Sequence, residues 1–315
     1  MKNKSSNPLL CDVETGVCEL PPSATSIDIS SIIADKKPIR IIYYTDPICS
    51  TCWGIEPQLR KLKLEYGDIL EIDYRMGGLL PDWSYNSGGI SKPADVASHW
   101  DEVSEHYDMP IDGDVWLEDP LHSSYPPSIA FKAAQIQDEE IAVSFLRRLR
   151  EMLFLEKKNI TKWEHISNAA VEVGLDPTRL KGDCEGKAKE HFKEDLELAR
   201  KLGVRGFPTL FFLDNFNNKE MVYGFKPYQK FEEVVLKLFP GAVKAKYDTS
   251  WVALFNKYPT LTTKEFVELS GSSKQDSKVL LHQLVDQSKL KKLVTKNGVL
   301  WACKVILSEE GKPII

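Results

Sequence analysis

The sequence predicts an α/β protein in two parts, and three observations carry that prediction. A β-branched and aromatic run, residues 39–44, leads into Cys49-Ser50-Thr51-Cys52 and then into apolar residues at helical spacing, so two thiols sit where a strand turns into a helix. A long block of helical patterns fills residues 125–202, and a second strand opens directly after it at Gly206-Phe207-Pro208-Thr209. Beyond Phe239-Pro240-Gly241 the pattern changes to three short helices and a hairpin.

Length and charge bound the function. A chain of 315 residues has room for two domains, and its net charge of -5 argues against a general affinity for nucleic acid. No apolar stretch approaches a membrane span. The first eleven residues are positively charged but lack the apolar middle of a secretory signal; Leu9-Leu10-Cys11, faintly similar to a lipoprotein cleavage site, lacks it too. A cytoplasmic location is therefore expected. There six cysteines are kept reduced, and a CxxC reads as catalytic or sensing rather than as a staple.

Taken in order, residues 1–37 read as a flexible lead-in rich in Ser, Asp and Pro, with Cys11 and Cys18 either side of a Thr15-Gly16 turn that would fold the thiols toward one another. Three readings stay open: exposed thiols on a mobile tail, an accessory redox pair exchanging with Cys49 and Cys52, or metal capture. A first domain is expected over 38–240, with a helical insertion over about 92–202. Its CxxC helix runs to Tyr66-Gly67, where Gly67 supplies the cap and Pro57 a kink. Residues 69–76 alternate as a second strand, and a Gly-rich loop follows. The helix over 93–107 carries His99, Trp100 and His106, whose imidazoles read as helix-surface groups rather than ligands.

Within the insertion, helices are expected over 129–134, 141–154, 166–173 and 188–202, with Cys184 as a small structural residue near the end. A strand over 209–213, a turn at Asp214-Asn215-Phe216-Asn217-Asn218, a strand over 221–224 and a helix over 228–238 close the domain. The last part, 247–315, holds helices over 249–258, 262–269 with Thr262 as cap, and 273–287 with Val279, Leu280 and Leu284 inward, then a hairpin around Lys296-Asn297-Gly298. That order is winged-helix-like. Its third helix begins Ser273-Lys274-Gln275-Asp276-Ser277-Lys278, only weakly basic, so a protein-contact or packing role is expected rather than DNA binding.

The chemistry starts from the location of the thiols. A cysteine at a helix N-terminus faces unpaired backbone N–H groups and the positive end of the helix dipole, both of which favour the thiolate. A zinc site would need a second cysteine pair of similar spacing, which Cys11, Cys18, Cys184 and Cys303 do not supply. No metal and no cofactor are expected.

Together, the strand, Cys49-Ser50-Thr51-Cys52, the Pro57 helix, the helical block and Val204-Arg205-Gly206-Phe207-Pro208-Thr209 ahead of the closing elements resemble the DsbA-like branch of the thioredoxin superfamily, over residues 38–239. The resemblance implies a thiol-disulfide oxidoreductase or protein disulfide isomerase working through mixed disulfides, with protein or small-molecule thiols and disulfides as partners. Cys49, nearer solvent, would attack and Cys52 would resolve. Pro208 would be the cis-proline facing the CxxC, with Phe207 offering backbone to an incoming peptide and Thr209 beside it. Glu56 matches a family glutamate and either assists proton movement or forms a surface salt bridge. The acid found in many relatives six residues before the first cysteine is Tyr43 here, which implies slower proton transfer. Ser50-Thr51 brings no histidine to the thiolate, which implies a less oxidising couple suited to a cytosolic reductase or isomerase. The alternative is similar in layout: bacterial adaptors that deliver a stress regulator to a Clp protease also join a DsbA-like domain to a winged-helix-like segment, with cysteines near the N-terminus. A glutathione-using isomerase of the same fold is disfavoured by Cys52.

Overall fold

The computed structural model describes residues 11–12, 17–19, 37–85, 92–303, 306–307 and 313–314. Its first elements are short strands where the sequence suggests only a flexible tail: β1 (Cys11–Asp12) and β2 (Val17–Glu19) pair antiparallel. Two residues cannot hold a strand by themselves, so the order comes from pairing elsewhere in the chain. The Thr15-Gly16 turn lies outside the described residues.

β3 (Ile39–Thr45) is an inner strand of a four-stranded sheet, and its run of Ile and Tyr is buried on both faces. α1 (Ser50–Gly54) carries the CxxC, and α2 (Glu56–Tyr66) follows after a break at Ile55. Pro57 thus does more than kink one helix. It sits in the first turn of a second helix, where a missing N–H costs nothing. Gly67 is the C-cap of α2, as expected, with a right-handed φ of -58. β4 (Leu70–Met76) runs parallel to β3, with Ile41 opposite Ile72.

The insertion comprises α3 (Ala94–Tyr107), α4 (Val115–Glu118), α5 (Tyr125–Gln137), α6 (Glu139–Phe154), α7 (Trp163–Glu172), α8 (Pro177–Glu185) and α9 (Lys187–Lys201). Sequence periodicity does not register α8, because only Leu180 in it is buried; its start signals are Asp176 capping Thr178 and Arg179, and Pro177. Cys184 lies on α8, half-buried. Aromatic rings weld the insertion to the CxxC helix: Trp53 stacks on Phe154 at 5.5 Å, and Phe154, Trp100, Trp116 and Trp83 continue the chain at 4.9, 5.2 and 5.8 Å. On β4, fully buried Asp195 of α9 pairs with Arg75 and with Lys132 of α5, each at 2.9 Å.

The chain returns to the sheet through β5 (Gly206–Phe207) and β6 (Thr209–Asp214), then β7 (Lys219–Tyr223) and α10 (Tyr228–Leu238). β6 lies antiparallel to both β3 and β7, giving the sheet order β4-β3-β6-β7. This is a thioredoxin-like α/β fold with a helical insertion.

The C-terminal part has its own set of buried side chains, including Leu254, Phe255, Leu261, Phe266, Leu281, Leu290 and Trp301. It contains α11 (Trp251–Lys257), β8 (Thr260–Thr262), α12 (Thr263–Ser270), α13 (Lys274–Asp286), β9 (Leu290–Thr295) and β10 (Gly298–Cys303), with sheet order β8-β10-β9. β8 is too short to show an alternation in sequence. Of the three residues of α13 expected to face inward, Leu284 is buried and Leu280 packs partly buried against the same core, but Val279 is exposed; Ser277 and Leu281 complete the buried face. The hairpin tip does not stand free: Lys296 pairs with Asp101 and Asp114 of the insertion, and Asn297 donates to Asp101 and the Ile111 carbonyl. No helix among the described residues is long and apolar enough to cross a membrane.

Candidate active site

The turn between β3 and α1 is built by its own side chains. Asp46 accepts from the Ile48 N–H at 3.1 Å, and the Cys49 N–H returns to the Asp46 carbonyl at 3.2 Å. That turn delivers Cys49 to the N-cap of α1, where its Sγ accepts from the Cys52 N–H at 3.2 Å. Both thiols are fully buried, so Cys49 is not the solvent-facing sulfur expected from the resemblance. The two cysteines share one favourable charge. Burial, followed by the hydrogen bond and charge of Cys52, pushes the Cys49 thiol well up. Burial acts on Cys52 too, but the hydrogen bond from Cys49, the charge of Arg150 and the Thr45 and Tyr43 hydroxyls outweigh it, and its thiol is lowered.

The cation is Arg150 on α6, fully buried. It donates to the Thr45 hydroxyl at 2.6 Å, to the Asp46 carbonyl at 3.2 Å and to Glu56 at 2.5 Å. Thr45 passes the contact on, donating to the Tyr43 hydroxyl at 3.1 Å. Glu56 is therefore half-buried in a charged cluster behind the dithiol rather than on the surface. Tyr43, which stands where relatives carry an acid, is buried and held well above the usual phenol range by that burial and by the negative charge of Cys52. A buried acid exists nonetheless, three residues before Cys49: burial raises Asp46 to about 6 against the hydrogen bonds from Leu79, Ile48 and Ser124.

The second half of the site is Phe207-Pro208-Thr209. The Phe207-Pro208 peptide is cis, and Thr209 opens β6 opposite Tyr44. Thr209 locks the turn by donating to the Gly206 carbonyl at 2.7 Å. The Phe207 ring lies against Gly77, where a Cβ would come within 1.8 Å of Cζ. The Gly77 N–H in turn donates to the Thr45 carbonyl at 2.8 Å. Gly77 thus links Thr45 to Phe207, 162 positions further along the chain. β2 lies along the same place, antiparallel to β5, with Cys18 opposite Phe207 and Glu19 opposite Gly206; Cys11 is in turn opposite Cys18.

A family model described as Thioredoxin matches residues 43–233. The ClpXP adapter protein SpxH of Halalkalibacterium halodurans is 33% identical over 297 residues, covering 92% of this chain and 96% of that protein. The chain belongs to the SpxH family. Its Bacillus subtilis member is 28% identical over 280 residues, or 87% of this chain and 92% of that one. Among solved structures, a putative protein disulfide isomerase from Nitrosomonas europaea matches with a TM-score of 0.56 at 19% identity, over 65% of this chain and all of its own. The cytosolic disulfide reductase DsbM from Pseudomonas aeruginosa matches with a TM-score of 0.52 at 22% identity, over 63% and 99%. These neighbours show the fold, that of DsbA-like thiol-disulfide oxidoreductases. Their coverage is about that of the thioredoxin-like part, whereas the SpxH relatives align along nearly the whole chain.

In this SpxH-family chain the dithiol is wired to the C-terminal part by buried charge. Arg147 on α6 lies 4.3 Å over the ring of Trp53, the residue after Cys52, and donates to Glu265 of α12 at 2.8 and 3.0 Å. Arg60 reaches the same carboxylate at 3.3 Å and the Thr260 carbonyl at 2.8 Å. Glu265 closes the capping box with Thr262 as well. Sequence reasoning missed Arg147, Arg150, Asp46 and Glu265. For the two arginines a signal was there: both fall on a helical face whose other members, Leu146, Leu153 and Phe154, are apolar. For Asp46, an Asp-Pro pair reads first as a turn, and burial is invisible to that reading.

Proposed function

We propose that this chain is an adapter that presents protein cargo to a ClpXP-type protease in the cytoplasm, using its thioredoxin-like domain as a platform and the Cys49–Cys52 dithiol to make docking respond to redox state. The observation that carries this reading is the extent of the likeness: proteins named ClpXP adapter align over 92% of the chain, more than the thioredoxin-like part alone can supply. The Arg147–Glu265–Arg60 network supports it, because it joins α2 and α6 to the C-terminal part as a platform would require. In the sensing step a disulfide such as oxidised glutathione takes two electrons from the dithiol. Cys49 and Cys52 lose their protons and form the S–S bond as two molecules of glutathione leave.

A second reading, thiol-disulfide oxidoreductase or isomerase, is favoured by one specific observation: the lowered Cys52 thiol beside a buried Arg150. Two measurements on purified full-length protein separate the readings: binding to ClpX with a non-hydrolysable nucleotide, and insulin reduction with glutathione as donor. The adapter reading expects saturable ClpX binding that survives Cys49→Ser/Cys52→Ser, and insulin reduction at the background rate. No ClpX binding together with Cys49-dependent insulin turnover would overturn it.

A further inference from the structure

The backbone edge at Gly206–Phe207 is already taken. Val17–Glu19 pairs with it antiparallel and Cys11–Asp12 backs that strand, so a three-stranded sheet in the order β1-β2-β5 lies beside the turn that leads into Pro208. An extended segment of another protein that added itself to β5 would need the same N–H and C=O groups, since strand addition to a sheet edge runs through the backbone. Resident strand and incoming strand exclude one another. The resident pairing is short, two residues against β5 and two between β1 and β2, and a ladder of that size is not stable by itself. What keeps it in place is covalent attachment, which holds the segment near β5 at an effective concentration that a free peptide must exceed.

The register adds a second device. Residues directly opposite in an antiparallel pair have Cα atoms about 4.5–5.5 Å apart, inside the range a disulfide spans. Cys11 and Cys18 are such a pair, and Cys18 is at the same time the residue opposite Phe207. A disulfide between them would close the chain across the described strands and remove freedom from the undocked state, favouring the docked one.

We propose that the β1–β2 pair is a built-in competitor for the protein-docking edge at Gly206–Phe207, and that oxidation of Cys11 and Cys18 locks it there. This deepens the adapter reading and rests on it for the identity of the displacing partner, an extended segment of a cargo protein. The oxidant is a disulfide such as oxidised glutathione: Cys11 and Cys18 each lose a proton, their sulfurs join, and two molecules of reduced glutathione leave. Oxidised protein holds the edge closed. Reduced protein lets cargo compete.

The test uses the full-length chain and a labelled synthetic peptide copying residues 9–20 with both cysteines replaced by serine, its binding followed by fluorescence anisotropy. Cys18→Pro takes a backbone donor out of the middle of β2, and the four-stranded sheet β4-β3-β6-β7 does not include that strand. Relative to wild type, Cys18→Pro should bind the peptide at least about tenfold more tightly, because the tethered competitor is gone. In a Cys49→Ser/Cys52→Ser background, where the CxxC cannot respond, oxidised protein should bind it more weakly than reduced protein, and adding Cys11→Ser/Cys18→Ser should abolish that difference. Equal affinity in wild type and Cys18→Pro would overturn the competitor, and equal affinity of the oxidised and reduced Cys49→Ser/Cys52→Ser protein would overturn the lock. ClpX takes no part in this measurement, so failure of the adapter reading, seen as absent ClpX binding, is distinct from failure here.

Discussion

Glu265 offers the most demanding test of how the two parts of the chain are joined. Its carboxylate is fully buried and receives two hydrogen bonds from Arg147, sits 3.3 Å from Arg60 and accepts from the Thr262 N–H at 2.7 Å. Removing one member of a buried ion pair leaves its partners charged and uncompensated, at about 3–5 kcal/mol. Glu265→Ala removes that charge and the acid of the capping box, whose loss adds about 1 kcal/mol. Glu265→Gln keeps the shape and the cap acceptor but not the charge, and should cost less, about 1–3 kcal/mol. Burial alone would raise the Glu265 carboxyl, but Arg147 and Arg60 outweigh it and hold the group below the ordinary glutamate range. A depressed carboxylate contributes stability that is present above its unfolded value, about 4.3, and is lost as pH falls through the folded value. The gap between wild type and Glu265→Gln should therefore close in acid. Urea unfolding followed by tryptophan emission, which Trp251 and Trp301 report from the C-terminal part, reads these differences. A loss below about 1 kcal/mol for Glu265→Ala, the range of an ordinary surface substitution, would refute the view that this network joins the parts.

Three further outcomes follow from the site. Arg150→Met should make the Cys49–Cys52 couple less oxidising by at least about 30 mV, one factor of ten in the exchange constant, because the cation stabilises the reduced, thiolate-bearing form; equilibration with glutathione measures it, and an unchanged potential would remove Arg150 from the site's electrostatics. Asp46, raised to about 6, binds a proton in the native state that the unfolded chain has already released, so it lowers stability as pH rises from about 4 to about 6, by at most about 3 kcal/mol. Asp46→Asn should flatten that slope in denaturant titrations across the window, at a fixed cost of about 1–3 kcal/mol because its amide NH2 cannot accept from Leu79 and Ser124. Gly77→Ala should displace the Phe207 ring and destabilise the fold by about 1–3 kcal/mol, since the new methyl would overlap that ring; an unchanged unfolding midpoint would contradict the packing around Thr45.

The redox expectation drawn from Ser50-Thr51 needs restating in this light. The dipeptide brings no histidine, but Arg150 supplies positive charge from α6, about a hundred residues away in sequence. A local motif describes the charges it contains and is silent about those that folding adds. The same holds for the missing acid at Tyr43, since Asp46 provides a buried carboxyl from the turn itself.

Periodicity made the sheet strands, most helices of the insertion and the C-terminal helices legible, because each of those elements buries one face and must repeat at 2 or 3.6 residues. α8 escaped because its buried face is a single leucine, and β1, β2 and β8 escaped because two or three residues carry no period. Val279 was misplaced, an error of one residue that leaves the element unchanged.

By itself the sequence determined that a strand, Cys49-Ser50-Thr51-Cys52 and a helix follow one another, that Gly206-Phe207-Pro208-Thr209 opens a distant strand, and that a separate small part ends the chain. Those are local facts, written in the spacing of apolar, Gly and Pro residues. Only the tertiary structure decided that both thiols are buried, that Arg150 rather than a neighbour in the motif meets them, that Glu265 ties the C-terminal part to α2 and α6, and that β2 occupies the edge at Phe207. The physical reason is common to all four: burial, long-range charge and strand pairing are set by which surfaces meet, and a sequence carries no record of distance between residues that are far apart along it.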